Sequence, residues 1–477
     1  MVLFTVGRVC RAEGIILLIP AIVSVIYKED GWKWFLLTAA IAAAFGTLLT
    51  LCRPRTRDIY VREGLVITGL SWTLVSVIGA LPFFFSGEIQ GYINCLFETC
   101  SGFSTTGSTI VSSPESLSMG IGFWRCFIQW LGGMGVLVLL LTVLPLGNER
   151  SMHIMRAEAP GPMVGKLVPK MSDTAKILYA IYIGLTVIEA ILLKCGGLTY
   201  YDSIVHAFTT AATGGFSTHS ASIAFFDSKY VEIVVTVFMF LFGINFNIYF
   251  LLLCGKFRDV FENSELRVYL AVVFGGMVVI ALNIMKIYGG FFPALRQSSF
   301  HVATLMSTTG YGTADFDTWP AFSKAIMLLM LIVGASAGST GGGIKFQRVM
   351  IWVKKIIADL RQSFRPRAVT TVRMDGKRVP DAAIQSASNY FALYFFISAL
   401  FTLIISIDGF SLETNLTAVM TCLSNVGPGF GGVGPTHTFE AFSGVSKLIL
   451  SAAMLLGRLE LFPMLALLDF RKLFTNR

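Results

Sequence analysis

Four short stretches of the chain place a glycine behind small hydroxyl or amide residues. They read Ser104-Thr-Thr-Gly107-Ser-Thr, Ala211-Ala-Thr-Gly214-Gly-Phe, Ser307-Thr-Thr-Gly310-Tyr-Gly and Ser424-Asn-Val-Gly427-Pro-Gly. None of these side chains is suited to acid–base or nucleophilic work. What they offer is oxygen. Glycine permits unusual φ/ψ and close backbone approach, so successive carbonyls can turn toward one axis and replace the water shell of a cation. Thr105, Thr106, Thr213, Thr308 and Thr309 can add hydroxyl oxygens. The candidate ligand set is therefore Thr105, Thr106 and Gly107; Ala212, Thr213 and Gly214; Thr308, Thr309 and Gly310; and Asn425, Val426 and Gly427. One Thr-Thr-Gly alone reads as an ordinary loop between helices. Four in register, with glycines 107, 96 and 117 residues apart, read as an internal repeat.

The elements that must position these stretches follow from the hydropathy pattern. After two apolar runs, near Ala12–Tyr27 and Trp32–Leu51, and the basic turn Arg53-Pro-Arg-Thr-Arg57, one unit recurs four times. A span leads into a shorter, more polar segment, then the glycine stretch, then a second span. The short segment cannot cross a bilayer, which needs about 20 apolar residues. It must enter and return on one side, a path tolerated at membrane depth only inside protein or beside water. Helix starts are expected at Asn94, Asp202, Ser298 or Ser299, and Ser411 with Glu413. Four such helices would aim the negative ends of their dipoles at one axis, where a cation is the natural occupant.

This predicts an all-α polytopic membrane protein with two N-terminal spans and four span–pore helix–span repeats around a pseudo-fourfold pore. The expected boundaries are 1–52 for the N-terminal pair, then 58–147, 170–256, 264–360 and 380–472 for the repeats. With ten crossings and an inside N-terminus, the inside segments 1–11, 52–63, 146–176, 255–267, 345–378 and 470–477 hold 27 of the 37 Lys and Arg. The outside segments hold 8. That bias is the positive-inside rule, which puts both termini in the cytoplasm. It also accounts for the net charge of +9 without nucleic acid.

Two features lie below the predicted filter. The second span of the third repeat is interrupted by Gly334-Ala-Ser-Ala-Gly-Ser-Thr-Gly-Gly-Gly-Ile-Lys345. A run carrying Gly334, Gly338, Ser339, Thr340, Gly341, Gly342, Gly343 and Lys345 ends a helix before the bilayer is crossed. It reads as an unwound loop inside the membrane; a plain cytoplasmic linker is the other reading. Arg458, in Leu455-Leu-Gly-Arg-Leu-Glu460, is a charge within the last span, where charges face a pore or a partner. Arg125 is expected as an interfacial anchor, Glu98 and Glu189 as groups that pair or hydrogen-bond structurally, and Asn245 and Asn247 as bonds between helices. Asp315 and Asp317 follow the third filter and read either as attractants for cations or as solvated loop charges.

Composition narrows the remaining classes. With 55% hydrophobic and only 14% charged residues, the chain lacks the polar surface of a soluble multidomain protein. Its eight cysteines contain no CxxC pair and its five histidines no ligand spacing, so no cofactor or resident metal is expected. No titratable constellation suggests an enzyme. Gly429-Phe-Gly-Gly-Val-Gly434 matches GxGxxG but follows a re-entrant helix rather than a strand, which excludes a dinucleotide site. A transporter of organic solutes would show two inverted halves instead of four parallel repeats.

On these residues the chain resembles the TrkH/TrkG/KtrB/HKT superfamily of potassium transporters, along its whole length. Thr309-Gly-Tyr-Gly312 is the closest match to the potassium-channel filter, and the two extra N-terminal spans look like the TrkH branch. The resemblance implies potassium uptake across the bacterial inner membrane, because glycine at all four filter positions accompanies potassium selectivity. A sodium-coupled or poorly selective cation transporter of the same fold is the alternative, and both channel-like and symport mechanisms stay open. The run 334–345 is similar to the family's intramembrane gate loop, and Arg458 matches its cavity arginine. The resemblance also implies a homodimer in membrane lipid and a separate TrkA-type cytoplasmic nucleotide-binding ring. The basic segment 345–378 is its candidate docking surface, with lipid headgroup contact as the other reading.

Overall fold

The computed structural model describes residues 1–52, 61–135, 171–367 and 370–467. The basic turn 53–57, most of the inside segment 146–176 and the segment 470–477 lie outside the described residues. Helix α1 (Val2–Ile16) and α2 (Leu18–Ile26) form one 25-residue apolar run, and α3 (Trp32–Leu51) returns beside it. The first span therefore begins ahead of the expected Ala12. Glycines set how closely the pair packs. A Cβ on Gly46 would lie 2.5 Å from the Gly7 carbonyl oxygen, and one on Gly7 would lie 2.6 Å from that of Gly46. Small residues at a membrane helix crossing allow this approach.

The first repeat is built from α4 (Val61–Gly79) with α5 (Leu81–Ser86), the short α6 (Tyr92–Phe103) and α7 (Met119–Gly133). The second comprises α8 (Met171–Cys195), the short α9 (Tyr200–Ala211), and α10 (Lys229–Gly243) with α11 (Phe246–Leu253). After α12 (Phe257–Glu262), the third comprises α13 (Ser264–Ile284), the short α14 (Phe291–Met306), α15 (Ala321–Val333) and α16 (Phe346–Phe364). A hairpin of two-residue strands, β1 (Arg373–Met374) and β2 (Lys377–Arg378), precedes the fourth. That repeat holds α17 (Asp381–Ile405), the short α18 (Leu412–Ser424), α19 (Gly444–Arg458) and α20 (Phe462–Ala466).

Six described helical stretches are long and apolar enough to cross a membrane: the N-terminal two and the first span of every repeat. The second spans do not pass as single straight helices, because each described helix stops short. Helix α7 ends at Gly133, α10 and α11 are bent by 92°, α15 stops at Val333 and α19 stops at Arg458. Fifteen helical residues rise only about 22 Å, short of the ~30 Å hydrocarbon core. The sequence foretells the break only in the third repeat, where the glycine run is long.

The short helices form the centre of the molecule. Helix α18 buries Thr414, Asn415 and every residue from Thr417 to Ser424, polar ones included. Only Ser411 caps its helix as expected, accepting from the Thr414 amide at 3.2 Å. Helix α9 is capped by Thr199, which accepts from the Asp202 amide, and α6 starts after Gly91. Helix α14 starts earlier, after Gly290, so Ser298 is internal and donates to the Met277 carbonyl at 2.8 Å.

Replacing Gly46 with valine should force α1 from α3. Overpacking of this kind costs about 1–3 kcal/mol, read as a lower melting temperature of the purified protein in detergent. A wild-type melting curve would mean the two glycines are incidental.

Candidate functional site

Each short helix ends in the same backbone turn. The residues after the last turn, Thr105, Thr213, Thr308 and Asn425, lie in the left-handed region at φ of 57°, 54°, 63° and 54°. The next amides, of Thr106, Gly214, Thr309 and Val426, donate back to Ser101, Thr209, Thr304 and Thr421 at 2.8–3.1 Å. This is Schellman-type closure of a helix C-terminus. Such turns favour glycine, and threonine there costs of order 1–3 kcal/mol, a strain that clusters at functional sites. Three of the four turns carry it.

The equivalence corrects the sequence alignment of the second repeat by one residue. Gly107, Gly310 and Gly427, at φ of 83°, 89° and 100°, follow the left-handed residue by two positions. In the second repeat that position is Gly215, at φ 73°, while Gly214 matches Thr106, Thr309 and Val426. Two adjacent glycines make the register ambiguous from sequence; the hydrogen bonds resolve it.

These four strands close a ring. A Cβ on Gly107 would collide with the Gly214 carbonyl oxygen, one on Gly215 with that of Thr309, and one on Gly310 with that of Val426. One on Gly427 would come within 3.0 Å of the Thr106 oxygen, which returns the circuit to the first repeat. Gly107, Gly215, Gly310 and Gly427 all line one cavity of about 140 Å³. No side chain could intrude at these four places without displacing a carbonyl of the neighbouring strand.

Most of the threonine hydroxyls hold the strands in shape. Ser104 and Thr106 hydroxyls lie 2.7 Å apart, and Ser307 and Thr309 repeat that contact at 2.6 Å. Thr213 donates to the Ala212 carbonyl. Asn425 Nδ2 donates to Thr106 Oγ1 and to the Met454 carbonyl, both at 2.9 Å. Among the described residues, the buried Thr105 Oγ1 has no hydrogen-bond partner. Behind the second and third strands, the Tyr311 hydroxyl joins Thr209 and donates to the His206 carbonyl.

Arg125 is no interfacial anchor. It is buried, donates from Nε to Glu98 at 2.6 Å and to the Ser217 carbonyl at 3.0 Å, and covers the Phe216 ring at 3.7 Å. Glu98 also accepts from Thr109 and the Ile110 amide, so the pair ties α6, α7 and two filter strands together. At the mouth, burial alone would raise the Glu115 carboxyl; hydrogen bonds from the Ser220 amide and hydroxyl hold it below the usual range. Asp315 caps its own turn, and Asp317 binds Lys324 and the Gly431 amide, so both belong to the loop framework.

Below the ring lies the glycine-rich loop, nearly all of it buried. The Gly342 amide donates to Thr308 Oγ1 at 2.6 Å and the Gly343 amide to the Ser424 carbonyl at 2.8 Å. Gly341 is equally close: a Cβ there would lie 2.6 Å from the Ser307 oxygen. Gly334, Gly338 and Gly343 have positive φ, as does Lys345, whose ammonium donates to the Gly341 carbonyl. On its other side the loop meets the break in the second repeat. Ser336 donates to the Gly243 carbonyl, Thr340 Oγ1 to that of Phe242, and the Phe246 amide to that of Gly338. Asn245, expected to bond between helices, caps α11 instead by accepting from the Asn247 amide. Glu265 accepts from the Ala337 amide at 2.9 Å, an anchor the sequence does not suggest.

Arg458 reaches the same level from the fourth repeat. Its guanidinium donates to the Thr340 carbonyl at 2.7 Å and to the carbonyls of Gly132 and Gly133, where α7 ends. Glu460 turns away and pairs with Arg348. Ser339 stays within the loop, donating to the Ser336 carbonyl. The site thus stacks a ring of backbone oxygens over a buried loop held by two cationic side chains.

The sequence matches the TrkH family, described as cation transport protein, over residues 33–273 and 293–475. It is 35% identical over 460 residues to the Trk system potassium uptake protein TrkH of Escherichia coli K12, covering 94% of each chain. It is 31% identical over 473 residues to the TrkH of Halomonas elongata, covering 98% of each. The fold is similar to the crystal structure of the potassium transporter TrkH from Vibrio parahaemolyticus, with a TM-score of 0.87 and 29% identity over 98% of each chain.

Removing one member of a buried ion pair strands the other. Glu98→Ala should therefore destabilise the protein by roughly 3–5 kcal/mol, with much of the loss recovered in Glu98→Ala/Arg125→Met. Thermal unfolding in detergent measures both. If the single variant melts like wild type, the pair is not a structural tie.

Proposed function

The chain belongs to the TrkH family of cation transport proteins, and from that premise we propose that it takes up potassium across the inner membrane of a bacterium. The four units within 58–147, 170–256, 264–360 and 380–472 act as pore repeats around one axis, behind the N-terminal pair 1–52. The observation that carries this reading is the closed circuit of four glycine strands, each touching the carbonyl of the next. Backbone oxygens held by buried helices stay in place as an ion sheds water, so the cost of dehydration is met by ligands already oriented.

The ligands are the carbonyls of Thr105, Thr106 and Gly107 and of their counterparts in the other repeats, with Gly215 serving in the second. The dipoles of α6, α9, α14 and α18 point their negative ends at the same place. Potassium is the cargo, no resident cofactor takes part, and the chain performs no catalysis.

Loop 334–345 acts as the gate. Its positive-φ glycines allow a change of path, and its amides let go of Thr308 and Ser424 when it moves. Arg458 and Lys345 add positive charge below the ring. A unit charge about 7 Å from a cation at an effective dielectric of ~20 raises its energy by about 2 kcal/mol.

Orientation follows the Lys and Arg bias, which keeps both termini in the cytoplasm. Segment 345–378 would then offer Lys354, Lys355, Arg361 and the β1–β2 hairpin to a TrkA-type nucleotide-binding ring. The exposed apolar residues Leu360 and Phe364 at the end of α16 support pairing with a second copy of the chain.

Gly107→Ser places a Cβ against the Gly214 carbonyl at a positive φ, and should let sodium compete with rubidium uptake by proteoliposomes. Undiminished sodium exclusion would remove Gly107 from the filter. In the same assay, Arg458→Ala, or deletion of Ala337–Gly342, should raise basal uptake on the order of tenfold. Unchanged uptake by well-folded protein would remove them from the gate.

A further inference from the structure

We propose that Gln129 is a positioning residue for ion selectivity, matched to Gly214 and holding the filter strand of the second repeat from the second span of the first. The inference deepens the filter reading given above and rests on it.

Gln129 is fully buried on α7. Its Nε2 donates to the Gly214 carbonyl at 2.7 Å, and its Oε1 accepts from the Phe216 amide at 3.2 Å. Only this orientation of the carboxamide satisfies both backbone groups. The two bonds bracket Gly215, the glycine at the ring. One helical turn earlier on the same face, Arg125 donates to the Ser217 carbonyl. Helix α7 thus pins the strand 214–217 on either side of its filter glycine.

The strand needs this more than its counterparts do. Two adjacent glycines leave no side chain to fix the peptide planes between residues 213 and 216, and glycine has the most conformational freedom to lose. Thr106 and Thr309 are held by contacts of their own hydroxyls. At the matching place the second repeat has Gly214, where a Cβ would sit 2.6 Å from Gln129 Oε1 and 2.8 Å from Nε2. Glycine here is not a response to backbone strain, because its φ lies outside the left-handed region. It makes room for the glutamine.

The other repeats show what Gln129 replaces. It lies four residues before Gly133, where α7 breaks. Four residues before the corresponding ends Gly243 and Arg458, and three before Val333 where α15 ends, stand Met239, Met454 and Met330, all buried. Methionine has nearly the length of glutamine and cannot make either bond. The repeat with a hydrogen-bonding side chain here faces the one strand with glycine at the position before the filter glycine. The pair explains both the degenerate Thr-Gly-Gly of the second repeat and the ambiguity of its alignment.

The test compares Gln129→Met, Gly214→Thr and the double variant of the full chain in proteoliposomes, reading inhibition of rubidium uptake by sodium. Gln129→Met frees the Gly214–Phe216 peptides, and sodium should then inhibit at a concentration about tenfold lower, the scale of losing one buried hydrogen bond. Gly214→Thr collides with the carboxamide and should also lose discrimination. The double variant, which copies the methionine–threonine combination of other repeats, should recover most of it. Wild-type sodium inhibition in Gln129→Met, or a double variant as poor as the two single effects multiplied, would overturn the proposal. If Gln129→Met does not accumulate, Gln129→Leu removes both the acceptor for Phe216 and the donor for Gly214 with a smaller side chain. It is read for the same outcomes, together with the melting-temperature gap between KCl and NaCl. A normal Gln129→Met beside a sodium-permeable Gly107→Ser would leave the filter standing and reject the clamp alone.

Discussion

Within a bilayer an unpaired backbone amide or carbonyl has no water to turn to and costs several kcal/mol. Four helices that stop at membrane depth face that cost at every C-terminus. The structure meets it twice over. Amides fold back through left-handed turns at Thr105, Thr213, Thr308 and Asn425 to bond the preceding helix. Carbonyls left over are aimed either at each other's strands or at groups supplied by a neighbouring repeat. On the proposed reading, a cation that several oxygens can coordinate at once is the partner for the rest, and burial of these termini and coordination of that ion are one solution to one problem.

The second spans obey the same constraint from the other side. In three repeats a glycine at or beyond the end of the second-span helix packs against the C-terminal end of a short helix. A Cβ on Gly132 would strike the Phe103 carbonyl, one on Gly342 that of Ser424, and one on Gly457 that of Leu423. A continuous helix with side chains at these places could not approach. The broken ends then need partners of their own, and here the repeats diverge. Asn245 caps α11, loop 334–345 fills the space with its own amides, and Arg458 crosses to the carbonyls of Gly132 and Gly133. The positive charge beneath the ring therefore also satisfies exposed carbonyls, which is why an arginine can be retained there despite the expense of a charge in the membrane.

Much of this is legible in the sequence, because glycine runs and charges are anomalies within apolar segments. The four stretches, the interrupted third repeat and Arg458 stand out on that ground. What stays hidden depends on contacts distant in sequence. Arg125 looks like an anchor until Glu98, 27 residues away, is seen against it. Single or paired glycines such as Gly132, Gly133 and Gly243 do not announce a break, since membrane helices tolerate them. Ser298 resembles a cap, but α14 begins after Gly290, two turns earlier and with no side-chain cap. The glycine stretch of the second repeat is misaligned by one residue because two glycines fit equally well in sequence; the positive φ of Gly215 and the bond from the Gly214 amide to Thr209 distinguish them.

Fourfold symmetry is thus approximate for a reason. Four identical subunits would have to give every filter strand the same support and every broken helix the same ending. A single chain can assign these tasks separately. The first repeat supplies α7, whose Arg125 and Gln129 hold the second strand; the second supplies a bent helix that receives the loop. The third contributes the loop itself, and the fourth contributes the cation that reaches back to the first. Each of these groups reaches a neighbouring repeat, while Arg125 and the loop also bond within their own, to Glu98 and Thr308. Degeneracy in the glycine motifs is then expected wherever a neighbour has taken over part of a strand's support. What the four repeats keep alike is the backbone geometry of the turn that ends each short helix.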